Sequence, residues 1–345
     1  MIEEIAPRQF IPGDILAEDV FSKSGNLLVG EGTTLNEILI SKLVDFGIEH
    51  IQVLRQPQNL YGESKTKQTV VKKYEEGLLL VKELMGHLSS GGKLSYEHVE
   101  TLTTLLIHQF KEVDVVVKFM LELKNADEYT YTHSLNVAFY SMMIGKWLGL
   151  TENEVQRIVQ SALLHDIGKM KIPDEILNKQ GKLTFEEFEV IKQHPIYGYE
   201  ILKEVEGIDS HIKEGVLSHH ERMNGSGYPY QASPDHLGLF PRIIAVADVF
   251  DAMISNRVYK SKVTPFDAFE MFQTVGYAQF DLTVLNAFLR HMPNYLVGAQ
   301  VKLSNGKVGH IAYIPPHEVT KPIVTVESEI IDLAYNNTIA ILEMV

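Results

Sequence analysis

The amino-acid sequence predicts a mainly α-helical protein, with a small α/β unit at its N-terminal end and a small β appendage at its C-terminal end. Three observations carry that expectation. Apolar residues recur at helical spacing through the middle of the chain. Short apolar runs broken by turn signals occupy both ends. Of the 345 residues, 45% are hydrophobic, which supports a sizeable core and argues against global disorder. At roughly 100–200 residues per domain, this length allows two or three units.

The N-terminal unit, over 1–56, is marked by turns at Pro12-Gly13 and Ser24-Gly25-Asn26. Val20-Phe21 and Leu27-Leu28-Val29 read as short strands around the second turn. Asn36 to Phe46 has helical spacing through Ile38, Leu39, Leu43 and Phe46, and Ile48 to Leu54 reads as a strand. Residues 57–68 are polar, with Pro57, Gly62 and several Lys and Gln, and are expected to be a linker. A helical flank follows over 69–124. Leu78, Leu79, Val81, Leu84 and Met85 mark one stripe, and Val99, Leu102, Leu105, Leu106 and Phe110 a second, separated by Ser89-Ser90-Gly91-Gly92. Such stripes are more often core than partner surface, so this flank is expected to pack on the next domain. A homodimer contact through it is the alternative. Residues 125–296 are helix-rich and hold the unusual residues. In 297–345, Val301-Lys302-Leu303 and Val308 to Tyr313 flank Asn305-Gly306, a hairpin signal, and Ile323 to Val326 and Ile339 to Leu342 can add strands.

Charge and composition exclude several functions. With 31 Lys and Arg against 45 Asp and Glu, the formal charge is −14. An acidic surface repels duplex DNA and anionic lipid, so neither a nucleic-acid polymer nor a membrane is an expected partner. A small anionic ligand stays open, because metal ions can reverse the local sign. The absence of cysteine removes disulfides and thiolate metal sites. No run reaches the roughly 18 apolar residues of a membrane span. Met1 to Phe10 is acidic, without a signal-peptide core, so the expected location is cytoplasmic.

Five points in the central region stand out. They are His133, on a helix from about Asp127 to Trp147; His165-Asp166, after a helix Glu152–Leu164; His194, in Gln193-His194-Pro195; the pair His219-His220, before Glu221; and Asp248, in Val246 to Asp251. Taken singly, a His on an apolar helix is more often a hydrogen-bonded core residue, and an Asp near a helix end more often a cap. Together they resist that explanation. Ser161-Ala162-Leu163-Leu164 runs straight into His165-Asp166, and Ile243 to Ala247 into Asp248. Burying an isolated carboxylate or charged imidazole there is costly or shifts its pKa. A divalent cation removes the problem, and imidazole with carboxylate suits Mn, Fe, Co, Ni or Zn. An Asp next to a His can bridge two ions, and ions about 3.5–4 Å apart serve phosphoester hydrolysis. Beside the His pair, Arg222 to Pro229 is a Gly-rich loop that can shape a substrate mouth. Arg257 and Lys260, three apart, are ordinarily solvated charges, but beside a metal site they can grip phosphate or a guanine edge.

The ordered series resembles the HD-GYP subgroup of the HD phosphohydrolase superfamily over about residues 125–295. The matching text is Tyr131-Thr132-His133-Ser134, His165-Asp166-Ile167-Gly168-Lys169, and His194-Pro195 with Gly198. It continues with His219-His220-Glu221-Arg222, Gly225, Gly227-Tyr228-Pro229 and Ala247-Asp248-Val249-Phe250-Asp251-Ala252. The resemblance implies an all-helical domain that hydrolyses cyclic di-GMP to pGpG, and often on to GMP, by metal-activated hydroxide. By position it implies that His133, His165, Asp166 and Asp248 hold one ion. Asp166, His194, His219 and His220 would hold the other, with Asp166 bridging and Fe or Mn favoured. Lys169 then neutralises charge at the scissile phosphate, the favoured role, or protonates the leaving oxygen; Arg257 and Lys260 grip the ligand, and Tyr228 lies in the signature loop.

Some members of that family hold a third metal through a Glu four residues before the first His. Here Tyr129 stands in that place, and Glu128, one position earlier, would point elsewhere on a helix, so two ions are expected. Other departures are Asn224 for the usual Asp, Tyr230-Gln231-Ala232-Ser233 after the signature, and Asn256 and Val258 by the basic pair. They bear on the substrate and leave two alternatives. One is a phosphodiesterase for a related cyclic dinucleotide such as cyclic GMP-AMP. The other is a catalytically weak cyclic di-GMP-binding module that signals through a protein docked on Gly227-Tyr228-Pro229. No receiver-type or membrane sensor domain is visible.

Overall fold

The computed structural model describes residues 2–11, 14–55, 63–90, 92–109, 116, 117, 120, 129–255, 263–327 and 329–345. At its N-terminal end, β1 (Ile2–Ile5) and β2 (Ile15–Leu16) both pair antiparallel with β5 (Ile51–Leu54), while β3 (Val20–Phe21) and β4 (Leu27–Val29) form a ribbon. Between them α1 (Glu37–Asp45) is capped by Asn36, whose side chain accepts from the Leu39 N–H, and it buries Leu39, Ile40 and Leu43. The sequence expectation lacked β1 and β2. Ile2-Glu3-Glu4-Ile5 carries little strand signal of its own and is ordered by pairing with β5. Pro12-Gly13 lies outside the described residues.

Helix α2 (Glu63–Ser89) starts inside the 57–68 stretch expected to be a linker. Its first residues are Glu, Lys, Thr and Gln, several of them good helix formers that leave no apolar period to read. Helix α3 (Tyr96–Gln109) packs back along it. Val81, Val99, Leu102 and Leu106 are buried as their stripes require, but Leu79 is exposed. Phe110 lies outside the described residues.

The central region is built around α4 (Tyr129–Trp147), which is buried on every side from His133 to Gly145. A helix sheathed in this way is a core helix. Around it come α5 (Glu152–Leu164), the short α6 (Asp174–Leu177), α7 (Phe185–Ile191), α8 (His194–Lys203), α9 (Ser210–Ser218), α10 (Leu239–Ile254), α11 (Pro265–Met271) and α12 (Leu282–His291). Thr151 and Glu154 form a reciprocal capping box that starts α5, and Thr184 and Glu187 do the same for α7.

The C-terminal strands form a five-stranded antiparallel sheet in the order β10 (Ile341–Met344), β6 (Gln300–Leu303), β7 (Val308–Tyr313), β8 (Ile323–Val326), β9 (Glu329–Asp332). The expected hairpin about Asn305-Gly306 is present, with Gly306 at φ +83°. The apolar core is shared. One cluster joins Tyr74 and Val81 of α2 to Leu135, Ile244, Phe250 and Phe288 of the helices and to Val301 and Val324 of the sheet. A second joins the N-terminal unit to Ala312, Tyr313 and Ile323, where Asn36 donates to the Ala312 carbonyl at 2.7 Å. Among the described residues, no helix is long and apolar enough to cross a membrane.

Candidate metal centre

Five segments deliver side chains to one place. His133 comes from α4, His165 and Asp166 from the end of α5, His194 from the first position of α8, His219 and His220 from the end of α9, and Asp248 from the middle of α10. Gly168 permits the closest of these approaches. A Cβ there would stand 1.9 Å from the His194 carbonyl oxygen, so only glycine lets the turn after Asp166 lie against the start of α8.

The seven residues form two groups that meet at Asp166. His133, His165 and Asp248 are one; Asp166, His194, His219 and His220 are the other. Within each, the ligand atoms lie within 4.8 Å of one another. Asp166 Oδ2 is 3.7 Å from His133 Nε2 and 3.3 Å from His165 Nε2, while its Oδ1 is 3.3 Å from His194 Nε2. His133 Nε2 lies 3.1 Å from Asp248 Oδ1, and His220 Nδ1 lies 3.5 Å from Asp248 Oδ2. Lys169 Nζ sits 2.5 Å from Asp166 Oδ2 and is a quarter exposed, at the open side of the cluster.

The imidazoles are aimed from behind. Nδ1 of His165, His194 and His219 each donates to the carbonyl three residues earlier, of Ala162, Ile191 and Val216, at 2.7–2.8 Å. Nδ1 of His133 donates instead to the Asp251 carboxylate at 2.7 Å. Each bond orients its ring and leaves Nε2 facing the cluster, as metal-bound histidines are held. Two buried atoms in the middle, His165 Nε2 and Asp166 Oδ1, have no hydrogen-bond partner among the described residues. A divalent cation satisfies both, so this donor set fits one.

The electrostatics agree. Burial alone would raise the Asp166 and Asp248 carboxyls, but the facing imidazoles, and Lys169 for Asp166, hold both well below the usual range. Burial, reinforced by neighbouring imidazoles, holds His219 and His220 well below theirs. Burial would lower His133 too, yet its bonds to Asp248 and Asp251 raise it to about 9. Ionised carboxylates beside neutral imidazoles are what a cation requires, and the field at His133 favours positive charge.

The loop after the His pair folds over the cluster. Buried Glu221 accepts from the Tyr230 and Ala232 N–H groups at 2.7 and 3.0 Å. A Cβ on Gly227 would stand 2.4 Å from the Glu221 Cα, so glycine is required there as well. The Tyr228 ring lies 4.6 Å from that of His220, and burial pushes its phenol pKa up, keeping it a hydrogen-bond donor. Asn224 is exposed and accepts from Ser226 within its own turn, away from the cluster. Arg257, Lys260, Asn256, Val258 and Glu128 lie outside the described residues. Sequence reasoning gave no role to Asp251, Asn136 or Glu221. The first two stand three residues after Asp248 and His133 on the same helices, a spacing that could have found them.

Residues 116–284 match the family model described as HD domain. A cyclic di-GMP phosphodiesterase of Pseudomonas aeruginosa is 39% identical over 191 residues, covering 55% of this chain and 46% of that protein. A 3'3'-cGAMP-specific phosphodiesterase of Vibrio cholerae is 35% identical over 168 residues, covering 48% of this chain and 32% of that one. The chain thus spans less than half the length of these two relatives. The solved structure of an HDG"Y"P protein from Bdellovibrio bacteriovorus shares the fold, with a TM-score of 0.51 at 16% identity over 83% of this chain and 98% of that one.

Proposed function

Residues 116–284 belong to the HD domain family, in its HD-GYP form, and on that premise we propose that the protein is a cytoplasmic metal-dependent phosphodiesterase that hydrolyses cyclic di-GMP to pGpG and on to GMP. The observation that carries this reading is the split of Asp166, one oxygen toward each group of imidazoles. On this reading His133, His165, Asp166 and Asp248 hold one divalent cation and Asp166, His194, His219 and His220 the other. Held there, a pair of Fe or Mn ions would supply Lewis-acid charge for phosphoester hydrolysis. The residues of the chain do the rest. The seven ligands fix the spacing of the reacting groups. Lys169, at the open side, neutralises charge on the scissile phosphate. The half-buried Tyr228 phenol donates to the substrate, and Arg257 and Lys260 grip it. The net charge of −14 makes this local concentration of positive charge necessary for an anionic substrate.

The test is to purify the protein anaerobically, measure its metal content, and follow cyclic di-GMP with added Mn(II) or Fe(II) by chromatography. Two metals per chain and a growing pGpG or GMP peak are expected. Absence of metal under every loading condition would refute the mechanism. Bound metal and nucleotide without product would favour a binding module that signals through the Gly227-Tyr228-Pro229 loop. A second substrate, 3'3'-cGAMP, is favoured by the Vibrio cholerae relative and by the departure at Tyr230 to Ser233. Comparing kcat/KM for the two dinucleotides separates these readings.

A further inference from the structure

Three buried hydrogen bonds run in series from helix α2 to His133. The Tyr74 hydroxyl meets Asn136 Oδ1 at 2.7 Å, Asn136 Nδ2 meets Asp251 Oδ1 at 2.8 Å, and Asp251 Oδ2 meets His133 Nδ1 at 2.7 Å. The polarity of every bond is forced. The Asp251 carboxylate can only accept, so the Asn136 amide must turn its NH₂ toward it. That leaves Asn136 Oδ1 to accept, and Tyr74 must donate. Tyr74 is 2% exposed, Asn136 3%, Asp251 1% and His133 3%, so no water competes along the line. Tyr74 lies outside the residues that match the HD domain, in a helix that the sequence alone assigns to a flank.

We propose that Tyr74 is a positioning residue of the metal centre. Acting through Asn136 and Asp251, it fixes the imidazole plane of His133, so helix α2 is part of the metal-binding machinery. This rests on the metal reading above. The carboxylate behind a metal-bound His sets the ring orientation and the basicity of its Nε2, and loss of such a partner costs about 10–100-fold in metal affinity. Asp251 itself is held on its other oxygen by Asn136, and Asn136 by Tyr74. Removing the Tyr74 hydroxyl frees that amide to rotate and loosens Asp251, with an effect smaller than loss of Asp251 itself.

The experiment is Mn(II) binding by equilibrium dialysis on the full chain, with thermal unfolding of the metal-free protein alongside. Tyr74→Phe keeps the ring and its packing. It is expected to weaken one of the two Mn(II) sites by about 5-fold, below the range for a direct partner, and to leave the other site and the unfolding midpoint nearly unchanged. In an Asn136→Ala background the same substitution should have no further effect, because the line is already cut. Wild-type protein that binds two Mn(II) ions with Tyr74→Phe unchanged overturns the proposal. So does an equal loss at both sites, or an undiminished effect in the Asn136→Ala background. Wild-type protein that binds no metal overturns the metal reading itself, and this inference with it.

Discussion

The two groups of ligands that meet at Asp166 are braced in different ways. In the His194, His219 and His220 group, two imidazoles are oriented by carbonyls three residues earlier in their own turns, Ile191 and Val216. In the other group His165 is held likewise by Ala162, but His133 is oriented by Asp251, 118 residues away on α10. In one half the braces are local backbone, whereas the brace on His133 exists only once α4 and α10 have packed. Their charge environments differ in the same direction. His133 is surrounded by Asp166, Asp248 and Asp251 and is raised to about 9, whereas His219 is lowered among other imidazoles. The acid-rich half favours positive charge, and the nitrogen-rich half supplies neutral ligands. The two cation sites are therefore expected to differ in affinity and in their sensitivity to distant substitutions.

The largest effect should come from removing what the halves share. His165→Ala combined with Asp166→Ala takes one candidate ligand from the first group and the carboxylate at which the two groups meet. Metal content, measured by mass spectrometry, should fall at both sites, and the proposed hydrolysis of cyclic di-GMP should be abolished. Turnover at the wild-type rate would show that the chemistry does not use this cluster.

A substitution on one side should split the halves. Asp251→Asn replaces a carboxylate acceptor with an amide and weakens the hold on His133 Nδ1. It is expected to lower metal affinity about 10–100-fold at the His133 site alone, the range typical of outer partners. A Mn(II) titration with two resolved sites checks this. Equal loss at both sites would mean that the local carbonyl braces do not insulate the second half.

Much of this was legible in the sequence, and the boundary of legibility follows the same division. The seven candidate ligands could be read because each lies in a short motif of the ordered series that resembles the HD-GYP pattern, and His165, Asp166 and Asp248 also follow apolar runs, such as Ser161 to Leu164 before His165. The carbonyl braces belong to the same turns and come with them. Tyr74 could not be read, because its bond to Asn136 spans 62 residues and nothing in the local pattern of α2 sets it apart. The linker expectation failed at Glu63 because a polar helix start has no apolar period. Leu79 failed because the stripe in α2 follows the true buried face only through neighbours such as Val81. The joint packing of the two terminal units, through Asn36 and Ala312, depends on contacts 276 residues apart.

The loop over the cluster offers a smaller test. Glu221→Ala removes the acceptor of two backbone N–H groups and so loosens the loop they hold. The metal ligands are untouched, so Mn(II) content should hold while KM for the dinucleotide rises several-fold. An unchanged KM would place the loop outside the substrate mouth.

The smallest expected effect concerns the helix that carries the locally braced half. Asp209 caps α9, whose far end presents His219 and His220. It accepts from the His211 N–H at 2.8 Å and from Arg157 at 2.9 Å. Burial would raise its pKa, but those bonds outweigh burial and bring it down to about 2. The folded value lies below the roughly 3.9 of an unfolded Asp, so the contribution to stability is present above about pH 4 and is lost as the pH falls through 2. The carboxylate is partly exposed and screened by solvent, so the effect should be that of an ordinary cap. Asp209→Ala is expected to destabilise the protein by about 1 kcal/mol at pH 7. In urea unfolding, the gap to wild type should narrow as the pH is lowered from 4 toward 2. A gap independent of pH would mean that Asp209 acts by packing rather than by charge. A loss at pH 7 accompanied by weaker metal binding would show that the locally braced half also depends on how its helix begins.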